Sequence, residues 1–328
     1  MERMTAETVV ESCGETLAMH SEIGWVESLL NEANDGTARI GQNASTISIH
    51  VEATSRSFPL RGLRPLTRTA WSGSGEVVIA DVCGSGFDVR LTQTGSRADF
   101  TVRWRPGPSR SLARFGLPER FRLLTREALV HYPLLWWASV HGKAPLHAIA
   151  CTVGGAVVLL AGPGGVGKST LLQRELVEGG RATSDNMCAA DGRSVWGLVE
   201  PMRVEADRGV RTTHGRVEVT LRGRVSCLIP DQVVVVRRAG GDSAAMLPCD
   251  PEDAVRSLVT GTYAAGELSR FWAYAATLAA GTGIGPAHPQ VSEVARAFAS
   301  RLDCFELRLA RTPGTRLSEL VGRTEAIA

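Results

Sequence analysis

The chain has 328 residues, enough for two domains of ordinary size without requiring a third. A hydrophobic share of 44% and a charged share of 21% exclude disordered and fibrous architectures, and a chain this long buries a core without disulfide support. Thirty-six cations against 34 anions leave a net charge of +2, so no overall field argues for a nucleic acid or a membrane as partner.

Residues 1–35 carry one amphipathic helix, with Ile23, Val26, Leu29 and Leu30 on helical spacing. The opening Met1-Glu2-Arg3-Met4 leads into polar, acidic sequence without an apolar h-region, which argues against secretion. From about 37 to 105 short strands take over. Residues 46–51 alternate with period two, and 76–79, 87–91 and 98–104 follow between Gly/Ser turns. The expectation is a small antiparallel β domain over 1–110, closed by Arg105-Pro106-Gly107-Pro108-Ser109.

A helical connector over 111–143 turns Phe121, Leu124, Ala128 and Leu129 inward and is bent or split by Pro133. Trp136-Trp137 reads as packing between the two domains, with a ligand stack as the alternative. From 144 to 328 the pattern becomes strand, glycine loop, helix, strand. Val233-Val234-Val235-Val236 has the unbroken apolar character of a strand buried on both faces, and the chain closes helix–strand–helix over 291–302, 304–309 and 316–321. Ala148 to Gly167 is twenty uncharged residues, the length of a membrane span, but it holds six glycines and a proline. It reads as a buried strand entering a turn, and the protein as soluble.

The seven cysteines are odd in number and form no C-x-x-C pair, which predicts reduced thiols in a cytoplasmic protein. Only two of the cations, Lys143 and Lys168, are lysines. Where lysine persists in so arginine-rich a chain, a compact ammonium is needed that a planar guanidinium does not replace.

Lys168 sits in Gly162-Pro163-Gly164-Gly165-Val166-Gly167-Lys168-Ser169, a full match to G-x-x-x-x-G-K-[ST]. A strand run, 156–161, precedes it, and a helix can start at Ser169-Thr170. Such a loop converges backbone N–H groups on phosphate oxygens, and the helix N-terminus adds unpaired donors. Lys168 would reach the β and γ phosphates and the Ser169 hydroxyl would ligate Mg²⁺. Asn-Lys-x-Asp, which reads guanine, is absent. The best second strand, 233–236, ends in Arg237-Arg238 rather than in an acid, so the catalytic carboxylate must come from elsewhere. ATP and GTP both stay open on the residues alone.

A substitute acid lies in Ser184-Asp185-Asn186, and Leu146-His147-Ala148 stands upstream. Leu-His-Ala, phosphate loop and Ser-Asp-Asx in this layout resemble the HPr serine kinase and phosphorylase family, and within it the relatives with a different N-terminal domain, some of which accompany peptide-modifying gene clusters. The resemblance spans 144–203, thins to about 310, and leaves out 1–110. It implies an α/β fold, α+β overall, with a mixed-sheet core shared with phosphoenolpyruvate carboxykinase. It also implies ATP and Mg²⁺ as partners; the oligomeric state stays open, although HPr kinases are oligomers and a homo-oligomer would be consistent with the resemblance. Lys168, Ser169 and Thr170 would hold phosphate, Ser169 and Asp185 the metal. Asp185 would be the general base, with His147 beside it near the transferred group. Arg203, after Gly197-Leu198-Val199-Glu200-Pro201-Met202, would help hold phosphate. Asn186 replaces the family's second acid, and Thr170 its glutamate. The first brings metal affinity and the reverse, phosphate-removing reaction into question, and the second argues against HPr as acceptor.

Each residue also has a plainer reading: His147 as a core histidine, Asp185 as a turn or cap residue. Six arginines, Arg203, Arg208, Arg211, Arg216, Arg222 and Arg224, face three acids over 203–224 without an aromatic, which reads as a solvated face rather than an RNA track. The expected activity is transfer of the γ-phosphoryl group to a hydroxyl, on a serine of a peptide or small protein or on a small-molecule alcohol. The alternative is a nucleotide-responsive scaffold with little turnover.

Overall fold

Strands and helices alternate along the chain and gather into several sheets, an α/β organisation. A computed structural model describes residues 7–40, 45–205, 215–239, 241–310 and 316–324. Asp207, Arg208 and Arg211 lie outside those residues, as does the Met1-Glu2-Arg3-Met4 opening. The chain forms two compact units: one takes the residues up to His141 together with Arg270–His288, the other Gly142 to 205, Val217–Ser269 and the residues from Pro289 on.

The first unit is built on a nine-stranded sheet. Thr8–Ser12 and Glu15–Ser21 form a hairpin that the helical reading of 1–35 omits; the helix itself, Gly24–Ala33, follows and buries Val26, Leu29 and Leu30. The sheet is mixed, not antiparallel as expected: Ile47–Glu52 runs parallel to both Glu15–Ser21 and Arg97–Trp104. For the first pair the reason is the intervening helix, which carries the chain back so that Glu15–Ser21 and Ile47–Glu52 enter the sheet from the same end. The strand pattern of Ile47–Glu52 is nonetheless the one read from sequence, with Ile47, Ile49 and Val51 inward.

Pro133 cannot donate a backbone hydrogen bond, and the helix absorbs this in one wide turn. Pro118–Arg126 passes into a π turn over Glu127–His131, where the Tyr132 N–H donates to Glu127 O, and resumes as Tyr132–Val140. Trp136 and Trp137 are fully buried and find their partners inside this unit, Trp136 edge-on to Phe100 at 6.1 Å between ring centres. This replaces the interdomain placement.

In the second unit the central sheet has the order 149–153, 156–161, 232–238, 303–309, 245–248. Ala156–Ala161, Gln232–Arg238 and Asp303–Leu309 are parallel, and the two outer strands are antiparallel to their neighbours. Val233 to Val236 lie at most 1% exposed because helices cover both faces, as the unbroken apolar run requires. One face packs Val158, Leu160, Val234, Val236 and Leu307 against Leu171, Leu172, Leu317, Leu320 and Val321. The Glu175 carboxylate ties the two helices of that face, accepting from the N–H groups of Leu317 and Ser318 at 3.0 and 3.3 Å. The other face carries Pro251–Tyr263. That helix starts where Asp250 accepts from Glu252 N at 2.8 Å, Pro251 supplies the fixed φ of a first turn, and Glu252 and Asp253 favour the dipole. A smaller antiparallel sheet joins Ala144–Leu146, Cys188–Ala190, Val195–Gly197 and Cys227–Leu228.

All seven cysteines are free thiols. Among the described residues no helix is long and apolar enough to cross a membrane; the uncharged run at 148–167 is divided between two antiparallel strands and the glycine loop. Leu160 is fully buried in the central sheet, so Leu160→Ala should cost about 2–5 kcal/mol, read as a lowered urea midpoint at unchanged slope.

Candidate functional site

The Ala156–Ala161 strand delivers the chain to the glycine loop, and the helix Lys168–Val177 leaves it. Gly162 has φ +142°, and a side chain there would meet the Val236 carbonyl at 2.8 Å. Only glycine lets the loop start so close to the neighbouring parallel strand. The helix opens from Gly167, whose carbonyl accepts from Leu171 N at 3.0 Å. Its first-turn N–H groups have no acceptor within the helix and face the loop side, the elementary geometry of an anion cradle.

Lys168 is 5% exposed and folds back over this loop: Nζ donates to Gly162 O at 2.7 Å and Pro163 O at 3.1 Å. Burial lowers its pKa to about 8, against the upward pull of Glu267 and Asp185. The Ser169 hydroxyl donates to the backbone carbonyl of Asp185 at 3.3 Å, which brings the Thr183-Ser184-Asp185 segment directly behind the loop. Gly197 fixes that segment from the other side, since a side chain there would overlap Thr183 O at 1.9 Å.

Asp185 is 3% exposed. Oδ2 accepts from Arg203 N at 3.0 Å, and Oδ1 has no hydrogen-bond partner; neither do the buried hydroxyls of Thr183 and Ser184. Burial raises the Asp185 pKa against the lowering effect of Arg203 and Arg224. An unpartnered carboxylate oxygen in a dry place is a site prepared for a proton or a cation.

His147 flanks the loop on the same side. Its Cε1 would stand 3.9 Å from a side chain at Gly164, its backbone N–H donates to Thr262 Oγ1 at 3.1 Å, and Nδ1 lies 3.1 Å from Gly261 O. A carbonyl only accepts, so Nδ1 carries the proton and Nε2 keeps its lone pair. Burial, then the Lys168 charge, lowers the His147 pKa to about 4, so the ring is neutral near pH 7.

Glu200 and Glu267 complete the group. The Arg203 guanidinium donates to Glu267 Oε1 at 2.8 Å and Glu200 Oε2 at 3.2 Å, and the Asn186 amide reaches both carboxylates, at 3.3 and 3.5 Å. Burial works against the charge of Glu267, but Arg203 beside it outweighs that and holds the carboxyl below its usual range. Arg203 is 8% exposed and its forks are committed to carboxylates. It therefore braces the site rather than offering open donors to phosphate. Arg224 closes the frame by donating to Thr183 O and Glu200 O at 3.2 and 2.7 Å.

The structure thus gathers Lys168, Ser169, His147, Asp185, Asn186 and Arg203 in one place. Sequence reasoning missed Glu267 and gave Glu200 no role. Glu200 had a signal, three residues before Arg203 in the same stretch; Glu267 had none, a hundred residues past the loop. For a divalent cation, Asp185 Oδ1 and Ser169 Oγ offer two oxygens, and among the described residues no cluster of three His, Cys, Asp or Glu forms. That suits Mg²⁺, which takes one or two protein oxygens and completes its shell from substrate phosphates and water. No protein-family model and no curated protein matches the chain.

Two measurements follow. Because a raised carboxyl pKa makes the folded state hold its proton more tightly than the unfolded chain, stability falls as pH rises from 3.8 through the folded value. Asp185→Asn should remove that fall and give a Tm no lower than the parent's at pH 7. Lys168 loses its proton above about pH 8, so the affinity for inorganic tripolyphosphate should fall above that pH, by up to about tenfold per unit; Lys168→Arg should flatten the profile.

Proposed function

We propose that the protein is a Mg²⁺-dependent kinase that transfers the γ-phosphoryl group of ATP to a hydroxyl, with a serine of a peptide or small protein as first acceptor and a small-molecule alcohol as second. The observation that carries this is the strand–glycine loop–helix unit with the Asp185 segment held directly behind Ser169 at 3.3 Å. In this reading the second unit is a phosphate-loop domain of the HPr kinase and phosphoenolpyruvate carboxykinase type. Its loop strand is parallel to Gln232–Arg238, and its acid comes from the segment leading into Cys188–Ala190 instead of that strand's end.

The loop amides and Lys168 hold the triphosphate. Mg²⁺, held by the Ser169 hydroxyl with substrate phosphates and water completing its shell, would supply charge neutralisation at the phosphates and leave Asp185 Oδ1 free to act as base. Asp185 Oδ1 accepts the proton of the attacking hydroxyl while the acceptor oxygen bonds to the γ-phosphorus and the bond to the β-phosphate oxygen breaks, leaving ADP. A carboxyl whose pKa burial has raised is a stronger base than an exposed one. Neutral His147 adds no repelling or attracting charge, and its ring is held by Gly261 O and by a side-chain hydrogen bond with Asn186. Asn186 bridging Glu200 and Glu267 explains how a neutral residue is kept where the resembling family has an acid: a third buried anion there would have no additional cation.

A nucleotide-responsive scaffold is the second reading, supported by the 3% exposure of Asp185. Labelled ATP with serine-containing peptides, read by mass spectrometry, separates the two: the kinase yields phosphopeptide and ADP in equal amounts, the scaffold leaves the label on the nucleotide. In the kinase, Lys168→Ala should abolish ATP binding, and Asp185→Asn should keep binding while the rate drops roughly 10²–10⁴-fold. An undiminished rate would remove Asp185 from the mechanism.

A further inference from the structure

A cavity of 610 Å³ opens on the side of the glycine loop facing the Gln232–Arg238 strand. Pro163 to Val166 form one wall, and the end of that strand, Val235 to Arg238, the floor; the third wall is the Asp253, Arg256, Ser257 and Thr260 stretch of the Pro251–Tyr263 helix. This volume is in the range of small-molecule sites, roughly 300–1,000 Å³, and exceeds what a phosphate chain on the loop would fill.

The same helix orders the site from end to end. Arg256, Ser257 and Thr260 face the cavity, Gly261 approaches the Gly162 backbone, the Gly261 carbonyl and Thr262 hydroxyl bond His147, and Glu267 beyond it reaches Arg203. Asp253 and Thr262 are nine residues apart, about 13 Å of helix at 1.5 Å per residue. The cavity therefore runs along this helix from Asp253 to Thr260, the acid-bearing cluster begins at and beyond its C-terminal end, and the glycine loop lies alongside.

In-line phosphoryl transfer puts the attacking and leaving oxygens on opposite sides of phosphorus. If the acceptor hydroxyl is activated at Asp185, the β-phosphate and everything attached to it extend away from Asp185. Along this helix, away from Asp185 is toward the cavity. We propose that the cavity receives the nucleoside end of the nucleotide, with Arg237, Arg238 and Arg256 around its ring and sugar. This rests on the loop being a triphosphate cradle.

The lining chemistry fits such a guest. Among the described residues the cavity lining offers guanidinium planes, which stack on ring faces as an ammonium does not, and no aromatic side chain. Arg238 is anchored to the loop, donating to Gly165 O at 3.0 Å. Arg256 pairs with Asp253 at 3.2 Å and its side chain is 70% exposed, so solvent screens that pair and it can exchange for a ligand. The Asp253 carboxylate then becomes an acceptor for ribose hydroxyls.

The test compares two probes with the same phosphates, ATP and inorganic tripolyphosphate, by calorimetry with Mg²⁺ present. Thr260 is an exposed helix residue, so Thr260→Trp fills the cavity without opening the core. It should weaken ATP about tenfold or more, while tripolyphosphate stays within about twofold. Arg256→Ala should weaken ATP selectively in the same sense, without a steric change. If both variants bind ATP like the parent, or weaken both probes equally, the nucleoside does not lie in the cavity and the inference is overturned. If the parent binds neither probe, or Lys168→Ala leaves both affinities intact, the cradle reading itself fails.

Discussion

One buried guanidinium governs the second unit. Arg203 meets Glu200 and Glu267 through its side chain and Asp185 through its backbone N–H, gathering three carboxylates that could not otherwise share a dry volume. Burial by itself works against its charge, yet the three acids hold it protonated more firmly than usual. Such a cluster is costly to assemble and costlier to break, because removing one partner strands the opposite charge. Its worth is geometric. It fixes the strand carrying Arg203 to the segment carrying Asp185, and the loop behind Ser169 inherits that position.

Around this frame the residues that face the loop are held in disfavoured states. Burial lowers the pKa of Lys168 and raises that of Asp185, and three oxygens of Thr183, Ser184 and Asp185 have no partner. A chain selected only for stability would fill such positions with apolar or paired groups. Buried polar oxygens without partners, concentrated beside the close backbone approaches that only glycine permits at Gly162 and Gly197, mark this corner as the candidate site.

The first unit follows different rules. Its helix Gly24–Ala33 carries the chain back between Glu15–Ser21 and Ile47–Glu52, and a second crossing after Ile47–Glu52 makes that strand parallel to Arg97–Trp104 as well, so two hairpin sets join as a mixed sheet. The aromatic groups that look most functional in the sequence, Trp136 and Trp137, are core: Trp136 stacks edge-on to Phe100, where a flat apolar body fills the space above a strand. Lys143, the other lysine, begins the second unit and lies over the face of Trp196, 5.1 Å from its ring centre.

Sequence alone determined what depends on neighbours along the chain. The glycine loop, the strand before it and the helix after it are encoded within some twenty consecutive residues, and the doubly buried Val233–Val236 strand within four, because backbone conformation and burial period are local properties. The proximity of His147 and Asp185 to Lys168 was legible only through the resemblance of their spacing. Tertiary structure decided the rest. Glu267 joins the site because Pro251–Tyr263 runs beside the loop, Arg203 becomes a brace because two carboxylates claim its forks, and the cavity exists because a strand end and a helix stand apart there. Electrostatic partnership is set by distance through space, and residues separated by a hundred positions leave no pattern in the chain that records it.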